Sequence, residues 1–369
     1  MAMSGLATAT IVGIGGVAAG LVFGATAQRT NFCTMGGIAD RVLMGDGRRL
    51  RAWVLATAVA LIGTQVLSFS GRIDLNHSIY LTTNFGWLGA IVGGLVFGFG
   101  MTLTGGCPSR TLVRLGGGNL KSLVVVLVIA IVAYMTLRGL IAPGRIAFEG
   151  VANVDLSARG LHSQSLGEVV AAILGIGART ARVGAAVLVA AALLFFCFKD
   201  PSFRRSPANL AAGVVIGLTV IAGWVVTGIV ASDEFEPVPL ASITLVAPVA
   251  ESLQYLMTYT GATISFGVAV VGGIIAGSFL MAVATGAFRP ESFVDRNDLV
   301  RHLVGAALMG VGGVFALGCT IGQGVTGVST LALGSIIAWL SIIAGGYVGV
   351  KYLEGGSFAD AFRATFIHG

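Results

Sequence analysis

Long runs of apolar residues, separated by short polar segments, dominate the chain. A helix that crosses a membrane needs about 20 apolar residues. Runs of roughly this length lie near residues 5–27, 52–70, 86–104, 119–142, 183–198, 208–231, 262–286, 300–318 and 330–350. The pattern predicts an all-α polytopic membrane protein with about nine transmembrane helices. The first run has no basic residue before it and is longer than the apolar core of a signal peptide, so we interpret it as a true span.

Composition and charge agree with a location in the membrane. Apolar residues make up 56% of the chain and charged residues only 10%, whereas a soluble domain carries about 25% charged residues. The net charge of +6 comes mainly from Lys and Arg residues in short loops. There they set the orientation of a membrane protein and do not indicate binding to nucleic acid.

The basic residues alternate between the two predicted sides of the membrane. They follow the first, third, fifth and seventh apolar runs, whereas residues 232–259 have no Lys or Arg and contain Asp233, Glu234, Glu236 and Glu251. The positive-inside rule therefore predicts the N-terminus and this acidic loop outside, and the C-terminus inside. Residues 143–182 carry four Arg residues on the predicted outer side, but long translocated loops follow the rule less strictly.

Three glycine-rich breaks, each with one cysteine, interrupt or end apolar runs. Their sequences are NFCTMGG at 31–37, LTGGCPSR at 103–110 and LGCTIGQG at 317–324. Irregular backbone at membrane depth is tolerated only where it is buried in protein or lines a cavity. We therefore expect Cys33, Cys107 and Cys319 to line a path through the membrane. Residues 31–44 and 108–117 are too short to span and are predicted to be re-entrant half-helices.

An internal repeat supports this interpretation. The sequence Gly-Leu-Val-Phe-Gly occurs at 20–24 and at 94–98, each time at the same distance before a cysteine. In the predicted topology Cys319 ends an outward-running span, whereas Cys33 and Cys107 end inward-running ones, as an inverted repeat requires. We expect one membrane transport domain over residues 1–369, with repeat halves near 1–142 and 208–350 that are joined by a connector at 143–207.

The glycines beside the thiols predict an anion as the ligand. Gly105, Gly106 and Gly318 allow backbone to approach a ligand at the start of a half-helix, where N–H groups and the helix dipole favour negative charge. Gln323 is a further candidate donor, and a neutral thiol is a weak donor suited to a soft sulfur anion. The four histidines are scattered, so the sequence predicts no metal site and no cofactor.

Other residues near these breaks have simpler interpretations. Arg110 and Arg114 are either basic anchors on the inner side or attract an anion to the inner mouth. Cys197 has no glycine break and no repeat partner, so it is predicted to be a buried structural residue. Gly20, Gly24 and Gly98 belong to small-residue faces that pack one helix closely against another.

These motifs resemble the YeeE/YedE family of sulfur-compound transporters, whose characterised members take up thiosulfate. The resemblance is carried by Asn31-Phe32-Cys33, Gly105-Gly106-Cys107-Pro108 and Gly318-Cys319-Thr320-Ile321-Gly322, and it covers nearly the whole chain. It implies an hourglass of membrane helices in which three cysteines, here Cys33, Cys107 and Cys319, pass thiosulfate along by S–H hydrogen bonding at a central constriction. It also implies a separate TusA-like sulfurtransferase on the cytoplasmic side.

The sequence therefore predicts a carrier or channel of the bacterial inner membrane that imports thiosulfate or a related sulfur anion. It is not expected to be an enzyme. The alternatives are a membrane thiol–disulfide enzyme that uses Cys33 and Cys107, or a transporter of a selenium compound or another sulfur anion. Thiol–disulfide enzymes typically use a Cys-x-x-Cys pair, which the chain lacks.

Overall fold

The structure, a computed structural model, describes residues 2–232 and 238–356. Its helices in chain order are α1 (Ala2–Thr30), α2 (Thr34–Leu43), α3 (Arg48–Phe69), α4 (Trp87–Leu103), α5 (Pro108–Gly116), α6 (Leu120–Arg138), α7 (Ala142–Ala152), α8 (Leu166–Leu174), α9 (Ala178–Phe198), α10 (Pro201–Arg204), α11 (Pro207–Val225), α12 (Val246–Met257), α13 (Phe266–Ala284), α14 (Arg296–Phe315) and α15 (Leu333–Gly355). Two short strands, β1 (Asn84–Phe85) and β2 (Val154–Asp155), pair antiparallel.

Nine helical segments within this part of the chain are long and apolar enough to cross a membrane. They correspond to the nine apolar runs, with α1, α3, α4, α6, α9, α11, α13, α14 and α15 as their main helices. The predicted class, an all-α polytopic membrane protein, is confirmed. The fifth span, α9, begins five residues earlier than the apolar pattern indicates, because Ala178–Val183 continues the helix through two arginines.

Short helices follow the cysteine-bearing breaks. α2 begins directly after Cys33 and α5 directly after Cys107, as predicted for the two half-helices. A third short helical segment, residues 320–329, begins after Cys319 and includes a π-helical turn at Gly322–Gly327. The sequence predicts an acidic loop at 232–259, but its second part forms α12, because Val246 and Val249 are buried. Asp233, Glu234 and Glu236 lie outside the described residues.

A unit of long helix, short helix and long helix occurs four times in the described residues. The units are α1–α2–α3, α4–α5–α6, α11–α12–α13, and α14 with residues 320–329 and α15. Each unit near the N-terminus packs against one near the C-terminus: α1 against α13, α3 against α11, α4 against α15 and α6 against α14. The division of the chain into halves at a 143–207 connector stays a prediction.

Glycine faces allow these pairs of helices to approach closely. A β-carbon on Gly94 of α4 would lie 2.7 Å from Cβ of Ser341 on α15, and one on Gly273 of α13 would lie 2.5 Å from the carbonyl oxygen of Val17 on α1. Helices in lipid gain little from burying apolar surface, so close van der Waals packing along small residues holds them together.

Buried polar side chains satisfy the irregular backbone of the third short helix. The Thr57 hydroxyl donates to the carbonyl of Gly324 at 3.1 Å, and the Gln65 amide donates to the carbonyl of Ser329 at 2.8 Å. Both side chains come from α3. Backbone carbonyls without partners are costly at membrane depth, so these bonds allow residues 320–329 to depart from a regular α-helix.

Candidate functional site: three buried thiols between two cavities

The three cysteine-bearing breaks share one backbone geometry. Two residues before each cysteine the chain adopts a left-handed conformation, with φ of 53° at Asn31, 65° at Gly105 and 55° at Leu317. The next amide then donates to a carbonyl of the preceding helix: Phe32 to Ala27 at 3.2 Å, Gly106 to Met101 at 3.0 Å and Gly318 to Gly313 at 2.7 Å. This is the Schellman arrangement that ends a helix and satisfies its last carbonyls. The same cap therefore ends all three long helices.

Each thiol lies at the start of the short helix that follows. Cys33 and Cys107 are the N-cap residues of α2 and α5 in extended backbone. The Cys33 Sγ accepts a hydrogen bond from the Gly36 amide at 3.3 Å, and the Cys319 Sγ accepts one from the Gly322 amide at 3.4 Å. Amides in the first turn of a helix have no partner within the helix. The sulfur atoms take the place of the oxygen that usually caps them.

Cys33 and Cys319 both lie in the neighbourhood of Cys107, and the three residues are called the thiol cluster below. All three are free and buried, with exposed fractions of 5% for Cys33 and 0% for the other two. Cys197 lies elsewhere, on α9, where its Sγ donates to the carbonyl of Arg51 at 3.4 Å.

A large polar cavity opens at one end of the helices. Its volume is about 600 Å³, and it lies at the C-terminal ends of α4 and α15 and the N-terminal ends of α6 and α14. The charged residues that line it are Arg110, Arg114, Lys121, Arg289, Glu291, Asp298 and Arg301, and His302 lies among them. Lys121 forms an ion pair with Asp298 at 2.7 Å, and the Asn119 amide donates to Glu291 at 2.6 Å. Positive charge therefore predominates on the side that the sequence predicts to be inner.

Arg110 connects this cavity with the thiols. Its Nη2 donates to Oδ1 of Asn31 at 2.9 Å, so it links the first break to the second. Its Nη1 is buried without a hydrogen-bond partner among the described residues. Cys33 and Cys107 both lie in the neighbourhood of the guanidinium. The side chain is only partly buried, but an unpaired buried donor such as Nη1 is costly, which favours an anion at this position.

The glycines of the predicted site shape the breaks. Gly105 provides the left-handed residue and lines the large cavity. Gly106 packs against the stem of Arg110, where a β-carbon would lie 3.1 Å from Cγ of the arginine. The amides of Gly106 and Gly318 are used in the helix caps. These glycines allow the chain to turn sharply before each thiol.

Gln323 lies at the other end of the thiol cluster. It lines a small cavity of about 20 Å³, on the opposite side from the large one, together with Tyr80 and Gln164. Its Nε2 donates to the carbonyl of Ala316 at 2.5 Å, and its Oε1 is buried without a partner in the part of the chain that the structure describes. Cys33, Cys107 and Cys319 line neither cavity. Gly105 and Arg110, next to Cys107 in the chain, line the large cavity, whereas Leu317 and Gln323, next to Cys319, line the small one.

Tyr80 is a residue at this site that the sequence did not reveal. It is buried beside Cys319, and its hydroxyl forms a hydrogen bond with Thr244. Burial raises the pKa of the Tyr80 phenol, so it stays a neutral hydrogen-bonding group. A lone tyrosine in a polar connection between spans gives no sequence signal, and only the folded chain places it there. Among the described residues no group of three or more His, Cys, Asp or Glu side chains is arranged to hold a metal ion.

Comparison with known proteins identifies the family of the chain. Residues 29–348 match the family described as "Sulphur transport". The thiosulfate transporter TsuA of Escherichia coli (strain K12) is 26% identical, with 92% of this chain and 91% of the relative covered. The thiosulfate transporter TsuA of Spirochaeta thermophila is also 26% identical, over 90% of this chain and 96% of the relative. The chain belongs to the YeeE/YedE sulphur transport family, as its cysteine motifs predict, and it is a multi-pass membrane transporter of sulfur anions, not an enzyme.

Proposed function

We propose that this chain imports thiosulfate across the bacterial inner membrane and passes it between Cys319, Cys107 and Cys33. The observation that carries the proposal is that three buried thiols lie near one another, and that residues next to Cys107 and Cys319 line cavities at opposite ends of the helices. In this orientation the N-terminus lies outside and the C-terminus lies in the cytoplasm, and the large cavity opens to the cytoplasm. The names of two relatives support thiosulfate as the substrate.

The chemistry of the thiol cluster suits this anion. Thiosulfate has a soft terminal sulfur at one end and three oxygens at the other. A neutral S–H is a weak donor, so each contact to the anion is easily exchanged for the next. Conduction requires sites that bind well enough to admit an ion and weakly enough to release it. Three thiols at successive half-helix starts, where the helix dipole favours negative charge, meet both requirements.

The charge of the large cavity supports its role as the exit. Arg110 lies between the thiols and this cavity, and further basic residues line it. A basic chamber draws the anion onward from a neutral thiol cluster. A separate TusA-like sulfurtransferase on the cytoplasmic side would then accept the sulfur from this cavity.

Uptake by purified protein in liposomes tests the substrate. Thiosulfate, sulfate, sulfite and selenite are supplied separately at the same concentration, and liposomes without protein provide the background. We expect accumulation of thiosulfate well above the other three anions. Faster uptake of sulfate, sulfite or selenite than of thiosulfate would reject the proposed substrate.

A disulfide cycle between Cys33 and Cys107 is the alternative chemistry for two neighbouring thiols. Thiol trapping with a maleimide reagent, after denaturation of protein that is transporting thiosulfate, distinguishes the two. A relay by hydrogen bonding leaves all three pathway cysteines reduced at every time point. A disulfide between Cys33 and Cys107 that forms and disappears during transport would favour the redox cycle instead.

A further inference from the structure

Two threonines next to the thiols have buried hydroxyls without a hydrogen-bond partner in the part of the chain that the structure describes. Thr34 follows Cys33 and Thr320 follows Cys319, and their exposed fractions are 1% and 0%. The Oγ1 atoms of both are buried without a hydrogen-bond partner among the described residues. The two residues occupy the same position in two breaks that share one backbone geometry.

This differs from the other buried threonines of the membrane helices. A threonine inside a helix usually donates to a carbonyl three or four residues earlier. Here Thr57, Thr102, Thr104, Thr111, Thr136, Thr219, Thr227 and Thr330 donate to such a carbonyl. At the first residue of a half-helix that carbonyl precedes the break, so the hydroxyls of Thr34 and Thr320 lack this partner. Among the described residues one other buried threonine, Thr64 in the C-terminal part of α3, also has a hydroxyl without a hydrogen-bond partner.

The third thiol also has a hydroxyl beside it. Pro108 follows Cys107, and the next residue, Ser109, is buried with its Oγ 3.0 Å from the Cys107 Sγ. Each of the three thiols is therefore accompanied by a hydroxyl within two residues along the chain. An unpaired buried hydroxyl is unfavourable, and two such groups at matched positions point to a ligand that both of them meet.

We propose that Thr34 and Thr320 are specificity-determining residues, whose hydroxyls donate to the oxygens of the transported anion while Cys33 and Cys319 contact its sulfur. This inference rests on the proposed function. A hydroxyl is a stronger donor to a charged oxygen than a thiol is. Paired donors of two kinds recognise an anion with one soft and one oxygen-bearing end, whereas thiols alone would not distinguish its two ends.

Substitution of each threonine by valine and by serine tests the proposal. Valine keeps the shape and removes the hydroxyl, whereas serine keeps the hydroxyl. In liposome uptake we expect Thr34→Val and Thr320→Val to raise the half-saturating thiosulfate concentration at least about tenfold, because a hydrogen bond to a charged group is lost. For Thr34→Ser and Thr320→Ser the half-saturating thiosulfate concentration should stay within about threefold of the wild-type value, since the loss of one methyl group changes the packing only slightly.

Thr64→Val is the matched control, because it removes an equally unpartnered buried hydroxyl that has no thiol beside it. We expect the half-saturating thiosulfate concentration of this variant to be within about twofold of the wild-type value, because the substitution lies away from the proposed site. If a valine variant does not yield folded protein, Thr34→Ala or Thr320→Ala replaces it, and we expect the same increase in the half-saturating thiosulfate concentration. If the variants that lack a hydroxyl at 34 or 320 had the same half-saturating thiosulfate concentration as the wild type, the inference would be wrong, but the proposed function would be unaffected. Failure of the wild type itself to take up thiosulfate would reject the proposed function.

Discussion

A β-carbon on Gly24 of α1 would overlap the carbonyl oxygen of Ile274 on α13. The corresponding glycine of the second repeat, Gly98 of α4, has the same relationship with the carbonyl oxygen of Ile342 on α15. Both glycines end the repeated Gly-Leu-Val-Phe-Gly sequence, and each precedes a thiol-bearing break. The repeat thus fixes the long helix against its partner and, by doing so, fixes the position of the thiol that follows.

Adjacent glycines on α13 test this packing. Gly273→Val should destabilise the protein by about 3 kcal/mol or more, because its side chain would meet the backbone of α1. Gly272→Val is the matched control, since a β-carbon there has no neighbour within 4 Å. Thermal unfolding in detergent measures the difference. Equal stability of the two variants would show that the α1–α13 contact is looser than described.

Substitutions at two left-handed residues of the breaks should change the stability of the protein in opposite directions. Gly105→Ala should cost about 1 kcal/mol of stability, because alanine is strained at a φ of 65°, whereas its β-carbon would meet only Nη1 of Arg114 at an ordinary contact distance of 3.7 Å. Leu317→Gly should gain about 1 kcal/mol, because it removes the same strain at a φ of 55°. Thermal unfolding of both variants checks the signs. Stabilisation by Gly105→Ala would contradict the shared cap geometry.

The sequence predicted the membrane fold because its strongest signal is length. The nine apolar runs correspond to nine span-length helices among the described residues. The breaks before α2 and α5 were recognisable in the sequence from their glycines and cysteines and from Pro108. α12 was missed because no glycine or cysteine marks its start and its buried residues, such as Val246 and Val249, form too short a run. Hydropathy reports spans reliably, but a short helix enclosed by protein has no span-length signal.

The site was predictable only in part. The matched spacing before Cys33 and Cys107 indicated equivalent thiols, but their common neighbourhood around Cys107 depends on how distant units pack. Leu317 shows why the shared cap was invisible: a leucine is an unusual choice for a left-handed residue, and no sequence rule favours it there. Tyr80 was missed for the same reason, because long-range folding alone brings it beside Cys319.

Arg110 gives a prediction about charge. Arg110→Met should slow thiosulfate uptake about tenfold, because the Nη1 donor, buried and unpartnered among the described residues, is lost from the proposed path of the anion. Asn31→Gly removes only the acceptor of the Arg110–Asn31 hydrogen bond and suits the left-handed backbone, so it should transport nearly normally. Initial rates in liposomes measure both. If the initial rate of thiosulfate uptake fell equally in the two variants, Arg110 would act only through its hydrogen bond to Asn31, which joins the first break to the second.

Labelled thiosulfate uptake by single cysteine variants in liposomes is the most direct test of the proposed thiol relay. Cys33→Ala, Cys107→Ala and Cys319→Ala are compared with Cys197→Ala, whose thiol is equally buried but donates to a backbone carbonyl away from the cluster. We expect each of the first three variants to lose uptake almost completely and Cys197→Ala to keep it. Normal uptake by well-folded Cys107→Ala protein would contradict the relay, because Cys107 is the thiol in the neighbourhood of both others.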